Sequence, residues 1–180
     1  MREPILFPTI AMKTLLLLRH AKSSWNDSPR SDHDRPLNSR GKRDAPRMGR
    51  LLAEQALVPD LIVSSTARRA RKTAEKVAEA SGYVGAIDAV AALYPGEPEL
   101  LVRTIRSLSD EADRVLLVGH NPGLEEFLAA VIGRHEHFPT AALAHVELEI
   151  DRWQQFEPRA GGRLVHLWRP KELPPPAEPA

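Results

Sequence analysis

The 180-residue sequence predicts an α/β fold: a three-layer α/β/α sandwich whose central sheet is mostly parallel with an antiparallel strand. Three observations predict it. Short apolar runs at residues 14–18, 61–64 and 115–119 have the length of buried strands. Segments of helical periodicity fill the intervals between them, which is the pattern of parallel strands joined by crossover helices on both faces. Two alternating segments near the end, residues 143–150 and 163–168, are separated by a polar stretch containing Gly161 and Gly162, as in a neighbouring antiparallel pair.

Taken in order, the first strand is built on four consecutive leucines, Leu15 to Leu18. Met48, Leu51, Leu52 and Gln55 share one stripe of the following helix. Pro46 is expected to kink or restart that helix, because proline has no amide proton and its ring crowds the carbonyl four residues earlier. Ala70, Ala74, Val77 and Ala78 mark a second helix ending near Gly82, and a weaker strand follows at residues 86–90. A third helix covers about residues 98–108. The fourth has Asn121 as its expected N-cap, Pro122 at the first helical position and Gly133 just past its end.

The chain is long enough for one domain with a sizeable core. We expect a domain over residues 13–170, a flexible extension over residues 1–12 and a proline-rich flexible tail over residues 171–180, with Met12 an alternative start. Net charge is +1, and there is no basic run with interleaved aromatics, so neither nucleic acid nor a membrane is an expected partner. The absence of cysteine excludes disulfides, thiolate zinc sites and a cysteine nucleophile. No apolar stretch approaches the roughly 20 residues of a membrane span, and residues 1–12 lack the apolar centre of a signal peptide. The expected setting is cytoplasmic.

Ligands of an open α/β sheet bind beyond the carboxyl ends of its strands. The first strand delivers Arg19 and His20 there. The second delivers Ser64, Ser65 and Thr66, followed by a helix with Arg68 and Arg69 in its first turn. The third delivers His120. Arginines oppose the helix dipole at an N-terminus unless an anion lies near. Two imidazoles and at least two guanidiniums converging on one crevice suit a compact, multiply charged anion, and phosphate is the natural candidate. Neighbouring arginines hold an imidazole neutral and therefore nucleophilic, and they can spread over the oxygens of a transferring phosphoryl group. No residue pattern supplies a Mg²⁺ site, so neither a metal nor another cofactor is expected.

The motifs that carry these groups resemble those of the histidine phosphatase (phosphoglycerate mutase-like) superfamily. "RHAKSSWN" is similar to its "RHG" signature, "SSTARRARKTAE" to its "SSPxxRAxQTA" segment and "VLLVGHNPGL" to its second-histidine segment. "RHAKSSW", "SDHDRPLNSRG", "VGHNPGLEEF" and "FPTAALA" look most like SixA-type phosphohistidine phosphatases. The resemblance runs from about Lys13 to Pro170. It implies that His20 is the nucleophile and that Arg19, Arg69 and His120 form the catalytic phosphate pocket. It further implies that Arg35 and Asn26 contact phosphate or substrate, and that a phosphorylated protein carrying phosphohistidine is the substrate and partner.

Two departures from the pattern stand out. Ala21 replaces the glycine after the nucleophile, and Asn121 replaces the acid that follows the second histidine in the acid-phosphatase branch. Glu97 is the nearest candidate acid, with poorly matching flanks. A missing acid suits a phosphohistidine substrate, because imidazole leaves more easily than an alkoxide. The rival readings are a small-molecule phosphomonoesterase or mutase of the same superfamily, and a non-catalytic phosphate-binding module. Asp32–Asp34 ("DHD") follows a polar loop instead of a buried strand, unlike the nucleophile of aspartate-dependent phosphatases. His135–His137 ("HEH") lacks a suitably spaced third metal ligand, and His145 and His166 read as structural.

Overall fold

The computed structural model describes residues 12–25 and 31–174, and within them six strands form one sheet in the order β3-β2-β4-β1-β5-β6. The strands are β1 (Lys13–Arg19), β2 (Leu61–Ser65), β3 (Ile87–Val90), β4 (Arg114–Gly119), β5 (Leu143–Leu148) and β6 (Arg163–Trp168). The helices are α1 (Ser39–Glu54), α2 (Arg68–Ser81), α3 (Pro98–Arg106) and α4 (Gly123–Ile132). β1 pairs in parallel with β4, and β2 in parallel with both β4 and β3. β5 runs antiparallel to β1 and to β6, so it is the one reversed strand of the sheet. The expected mostly parallel sheet with an antiparallel strand is what forms.

The leucines of β1 show why the sheet needs two covering layers. Successive strand residues point to opposite faces. Leu15 and Leu17 accordingly pack with Leu101, Ile105, Leu124 and Phe127 of α3 and α4. Leu16 and Leu18 pack with Met48, Leu52, Ala74 and Val77 of α1 and α2. All four leucines have no solvent exposure, and at about 1.5–3 kcal/mol for each fully buried side chain they anchor the sheet's centre.

Two boundaries differ from expectation for identifiable reasons. α1 runs continuously through Pro46. The carbonyl that loses its partner there belongs to Lys42, which is exposed and can bond to water. α4 begins at Gly123, and Asn121 does not cap it. The Asn121 amide instead donates to the Glu125 carboxylate at 3.0 Å and to the Phe138 carbonyl at 2.9 Å. Gly123 also permits a close approach, since a β-carbon there would overlap the Gly96 carbonyl. That contact seats the loop bearing Tyr94 beside the end of β4.

Among the described residues no helix is long and apolar enough to cross a membrane. Of the two terminal segments expected to be flexible, residues 1–11 and 175–180 lie outside the described residues.

Candidate active site

Sheet register brings the two histidines together. Arg19 of β1 pairs with Gly119 of β4, so the next residue of each strand leaves the sheet at the same level. The His20 amide then donates to the Gly119 carbonyl at 3.0 Å. His20 and His120 are both buried, with ring centroids 5.0 Å apart. β2 ends beside them, and α2 begins immediately afterwards. Arg69 in its first turn is buried, whereas Arg68 is exposed. The Arg69 Nε–H points at His20 Nε2 across 3.3 Å. Thr73, one turn further on, donates to the Arg69 carbonyl at 2.7 Å and accepts from the Ala21 amide at 3.0 Å, which fastens the loop after His20 to α2.

The tautomer of His20 follows from its partners. Its Nδ1 lies 2.8 Å from the Ala21 carbonyl, which can only accept, so Nδ1 carries the proton and Nε2 presents its lone pair. Burial pushes the His20 pKa well below the ordinary histidine value. The Ala21 hydrogen bond opposes that shift, and His120, Arg69 and Arg19 reinforce it.

His120 Nε2 lies 2.7 Å from Ser65 Oγ, which also accepts the Ala67 amide at 3.1 Å. If the Ser65 hydroxyl donates its proton to His120 Nε2, only His120 Nδ1–H remains unpartnered. The opposite arrangement would leave that hydroxyl proton without an acceptor as well. We therefore assign the proton of His120 to Nδ1, a buried atom with no partner among the described residues. Burial lowers the His120 pKa to about 3, and Arg69 adds to the effect.

Arg19 donates from Nη1 to the Phe138 carbonyl at 3.1 Å, while its buried Nε has no partner among the described residues. Burial lowers its pKa from the ordinary arginine value, with Glu125 opposing and Arg69 reinforcing the shift. Glu125 also steadies the Phe138 segment by accepting the Phe138 amide at 2.9 Å. Its position inside "GLEEF" gave no sign of this role.

Asp32 is the residue that the sequence reading set aside. In a short 3-10 turn (Asp32–Asp34), its backbone carbonyl and carboxylate accept from Arg69 at 2.7 and 3.1 Å. The carboxylate also accepts from Arg35 and Tyr94, each at 2.9 Å. The Arg35 bond, helped by Tyr94 and Arg69 and opposed by burial, holds its pKa down to about 2. The loop setting of "DHD" does exclude an aspartate nucleophile at a strand end, yet it brings Asp32 onto the arginine of the candidate pocket.

Arg35 reaches the cluster through Asp32. It also bonds Ser23 Oγ at 2.7 Å and the Ser24 carbonyl at 3.0 Å, and lies over the Trp25 ring at 3.3 Å. Asn26 lies outside the described residues. Glu97 is exposed just before α3, with no side-chain partner among the described residues.

Elsewhere, His135 and His137 of the "HEH" segment lie 2.9 and 4.0 Å from the Glu125 carboxylate. His145 and His166 face each other across β5 and β6.

The pKa shifts have a direct consequence. In phosphate-free protein, the imidazole ¹⁵N resonances of His20 and His120 should show neutral rings from about pH 8 to about pH 5, each protonated on Nδ1. Both folded-state values lie below the unfolded value of about 6.5, so the unfolded chain takes up protons first as pH falls. Stability is therefore complete above about pH 6.5 and is lost as pH drops toward 3. The loss from His120 alone is on the order of 3 kcal/mol by about pH 4. Melting curves across this range test the sign, and an imidazolium signal from His20 or His120 at pH 6 would overturn the assignment.

This arrangement places the molecule in a class: a buried neutral imidazole beside a second imidazole and two arginines, at the carboxyl edge of a mostly parallel sheet. Residues 15–93 match the histidine phosphatase superfamily (branch 1). An uncharacterized protein of Mycobacterium leprae is 31% identical over 156 residues, spanning 78% of this chain and 92% of that protein. A solved structure assigned as phosphohistidine phosphatase SixA from Agrobacterium tumefaciens is 32% identical, with a TM-score of 0.74, covering 87% of this chain and 97% of that one. A SixA structure from Nakamurella multipartitia is 27% identical, with a TM-score of 0.73, covering 88% and 96%. The chain belongs to the histidine phosphatase superfamily and is of the SixA type.

Proposed function

We propose that this chain is a metal-independent phosphatase that dephosphorylates phosphohistidine on a protein through a phosphohistidine intermediate of its own. His20 Nε2 attacks phosphorus, so a P–N bond forms there while the P–N bond of the substrate breaks. The departing imidazole, protonated on its other nitrogen, leaves as a neutral ring. Water then attacks the phosphoryl group on His20, the second P–N bond breaks, and inorganic phosphate departs. Arg19 Nε–H, His120 Nδ1–H and the Arg69 guanidinium donate to the phosphoryl oxygens, where charge must be stabilised.

The observation that carries the choice of substrate is the state of the nearest carboxylate. Asp32 is the only carboxylate among the described residues hydrogen-bonded to His20, Arg19, Arg69 or His120, and its pKa near 2 keeps it ionised. An ionised carboxylate cannot protonate an alkoxide. An imidazole leaving group, with an ordinary pKa near 6.5, has no such need. The SixA assignment of the Agrobacterium relative supports the same reading.

The test offers a phosphohistidine-bearing protein and an alkyl phosphate side by side. General acids are worth roughly 10²–10⁴-fold, so kcat/KM for phosphohistidine should exceed that for the alkyl ester by at least about 10²-fold. Glu97→Gln should leave both rates unchanged. Comparable rates on the alkyl ester, lost in Glu97→Gln, would show that an acid had been overlooked and favour the small-molecule reading.

A further inference from the structure

A second cationic cavity, about 460 Å³, opens beside the candidate active site between α1 and the ends of β5 and β6. Arg40, Arg43 and Arg47 of α1 line one wall, and Arg169 and Lys171 line the other. Two carboxylates, Asp44 and Glu172, share the lining, leaving the cations in excess. Asp44 lies 3.6 Å from Arg40 and 3.8 Å from Arg47, close enough to hold both without a tight pair. Arg169 is matched by Glu136 at 3.1 Å and by Glu172 at 3.5 Å. Arg43 and Lys171 are exposed and have no side-chain partner among the described residues.

The cavity is built into the fold and shares a wall with the phosphate pocket. Arg47 donates to the carbonyls of Pro170 and Pro174 at 3.4 and 2.8 Å, tying the two walls together. Arg40 donates to Thr140 Oγ1 at 3.1 Å. The next residue, Ala141, donates its amide to the Arg19 carbonyl at 3.0 Å, and Phe138 accepts from the Arg19 side chain. One short segment, residues 138–141, therefore links the two sites.

We propose that this cavity is a second anion-binding subsite that receives the carboxylates of an acidic stretch on the phosphoprotein substrate. The proposal rests on the phosphoprotein reading above. Its chemistry follows from shape and charge. Arg40, Arg43 and Arg47 recur at helical spacing along one side of α1 and span about 10 Å, a longer row than one phosphate or carboxylate engages. The ligand that matches is extended and carries several negative charges. Arg40 and Arg43 are exposed, as binding to a protein surface requires, while the half-buried Arg47 holds the two walls in place.

Synthetic hexaglutamate is the probe, titrated into the whole chain at low salt in saturating inorganic phosphate, which fills the His20 pocket. Wild type should bind it, and Arg43→Glu/Lys171→Glu should weaken binding by about tenfold or more. The double variant should keep kcat/KM for p-nitrophenyl phosphate within about twofold of wild type, which also shows that it folds. Equal peptide binding by variant and wild type would overturn the proposal. So would peptide binding abolished by phosphate, or tripolyphosphate binding to the cavity at least about tenfold more tightly than hexaglutamate. Because the titration needs no turnover, a protein inactive on phosphohistidine but binding hexaglutamate in this way would refute the proposed substrate and leave the subsite standing.

Discussion

His20→Ala should reduce phosphohistidine turnover by roughly 10⁴-fold or more, and rapid quenching should trap no phosphate on the variant. The geometry separates the two histidines. His20 Nδ1–H is committed to the Ala21 carbonyl, so Nε2 carries the lone pair, and attack requires the 3.3 Å contact from Arg69 Nε–H to give way to phosphorus. His120 Nε2 is committed to Ser65, and its other nitrogen carries the proton. An attack needs a lone pair and stabilisation needs a donor, so in the proposed reaction the same side-chain type would serve two purposes according to its partner. His120→Ala should therefore slow formation of the phosphoenzyme but leave the label on His20. Label retained in His20→Ala, with circular dichroism showing both variants folded, would end the assignment of the nucleophile.

The second large effect belongs to Arg69. Arg69→Lys keeps the positive charge but loses the planar fork that spans His20 Nε2 and Asp32 together. Removing one donor from a preorganised anion site costs roughly 10²–10³-fold, and kcat for Arg69→Lys should fall by about that much. Asp32→Asn should act in the opposite direction on phosphate affinity. In the proposed site its carboxylate would compete with the phosphate dianion for Arg69, and removing that charge should tighten inhibition by inorganic phosphate by up to about tenfold. Weaker phosphate inhibition in Asp32→Asn would mean that holding Arg69 in place outweighs the competition. An unchanged kcat in Arg69→Lys would place Arg69 outside the reaction.

Legibility in the sequence tracks the range of the cause. Strand exits are local events: an apolar run ends, and the next residue is delivered to the sheet's edge. Arg19, His20 and His120 could be read that way, and the resemblance of "SSTARRARKTAE" to the family's "SSPxxRAxQTA" segment singled out Arg69 over Arg68. The Asp32–Arg69 contact joins residues 37 positions apart, with α1 and β2 between them, and no periodicity announces such a meeting. Glu125 was hidden similarly, because its work is done on the Phe138 segment, which only the return of the chain into β5 brings near. Pro46 illustrates the converse. A local rule allowed a kink or a restart; no restart occurs, because α1 packs along α2 as one helix and the carbonyl that loses its partner belongs to exposed Lys42.

The sequence by itself determined the alternation of strands and helices, the identities of the groups placed at the carboxyl edge and the motifs of the histidine phosphatase superfamily. All of these are written in contiguous residues. Tertiary structure decided which nitrogen of each histidine carries its proton, because that depends on the Ala21 carbonyl and on Ser65. It set the burial that keeps both rings neutral, and it brought Asp32 onto Arg69 and Arg35. It also gathered five dispersed cations of a nearly neutral chain around one cavity. Proton placement, pKa and local field depend on neighbours in space, and those neighbours are chosen only when the sheet and its helices have closed.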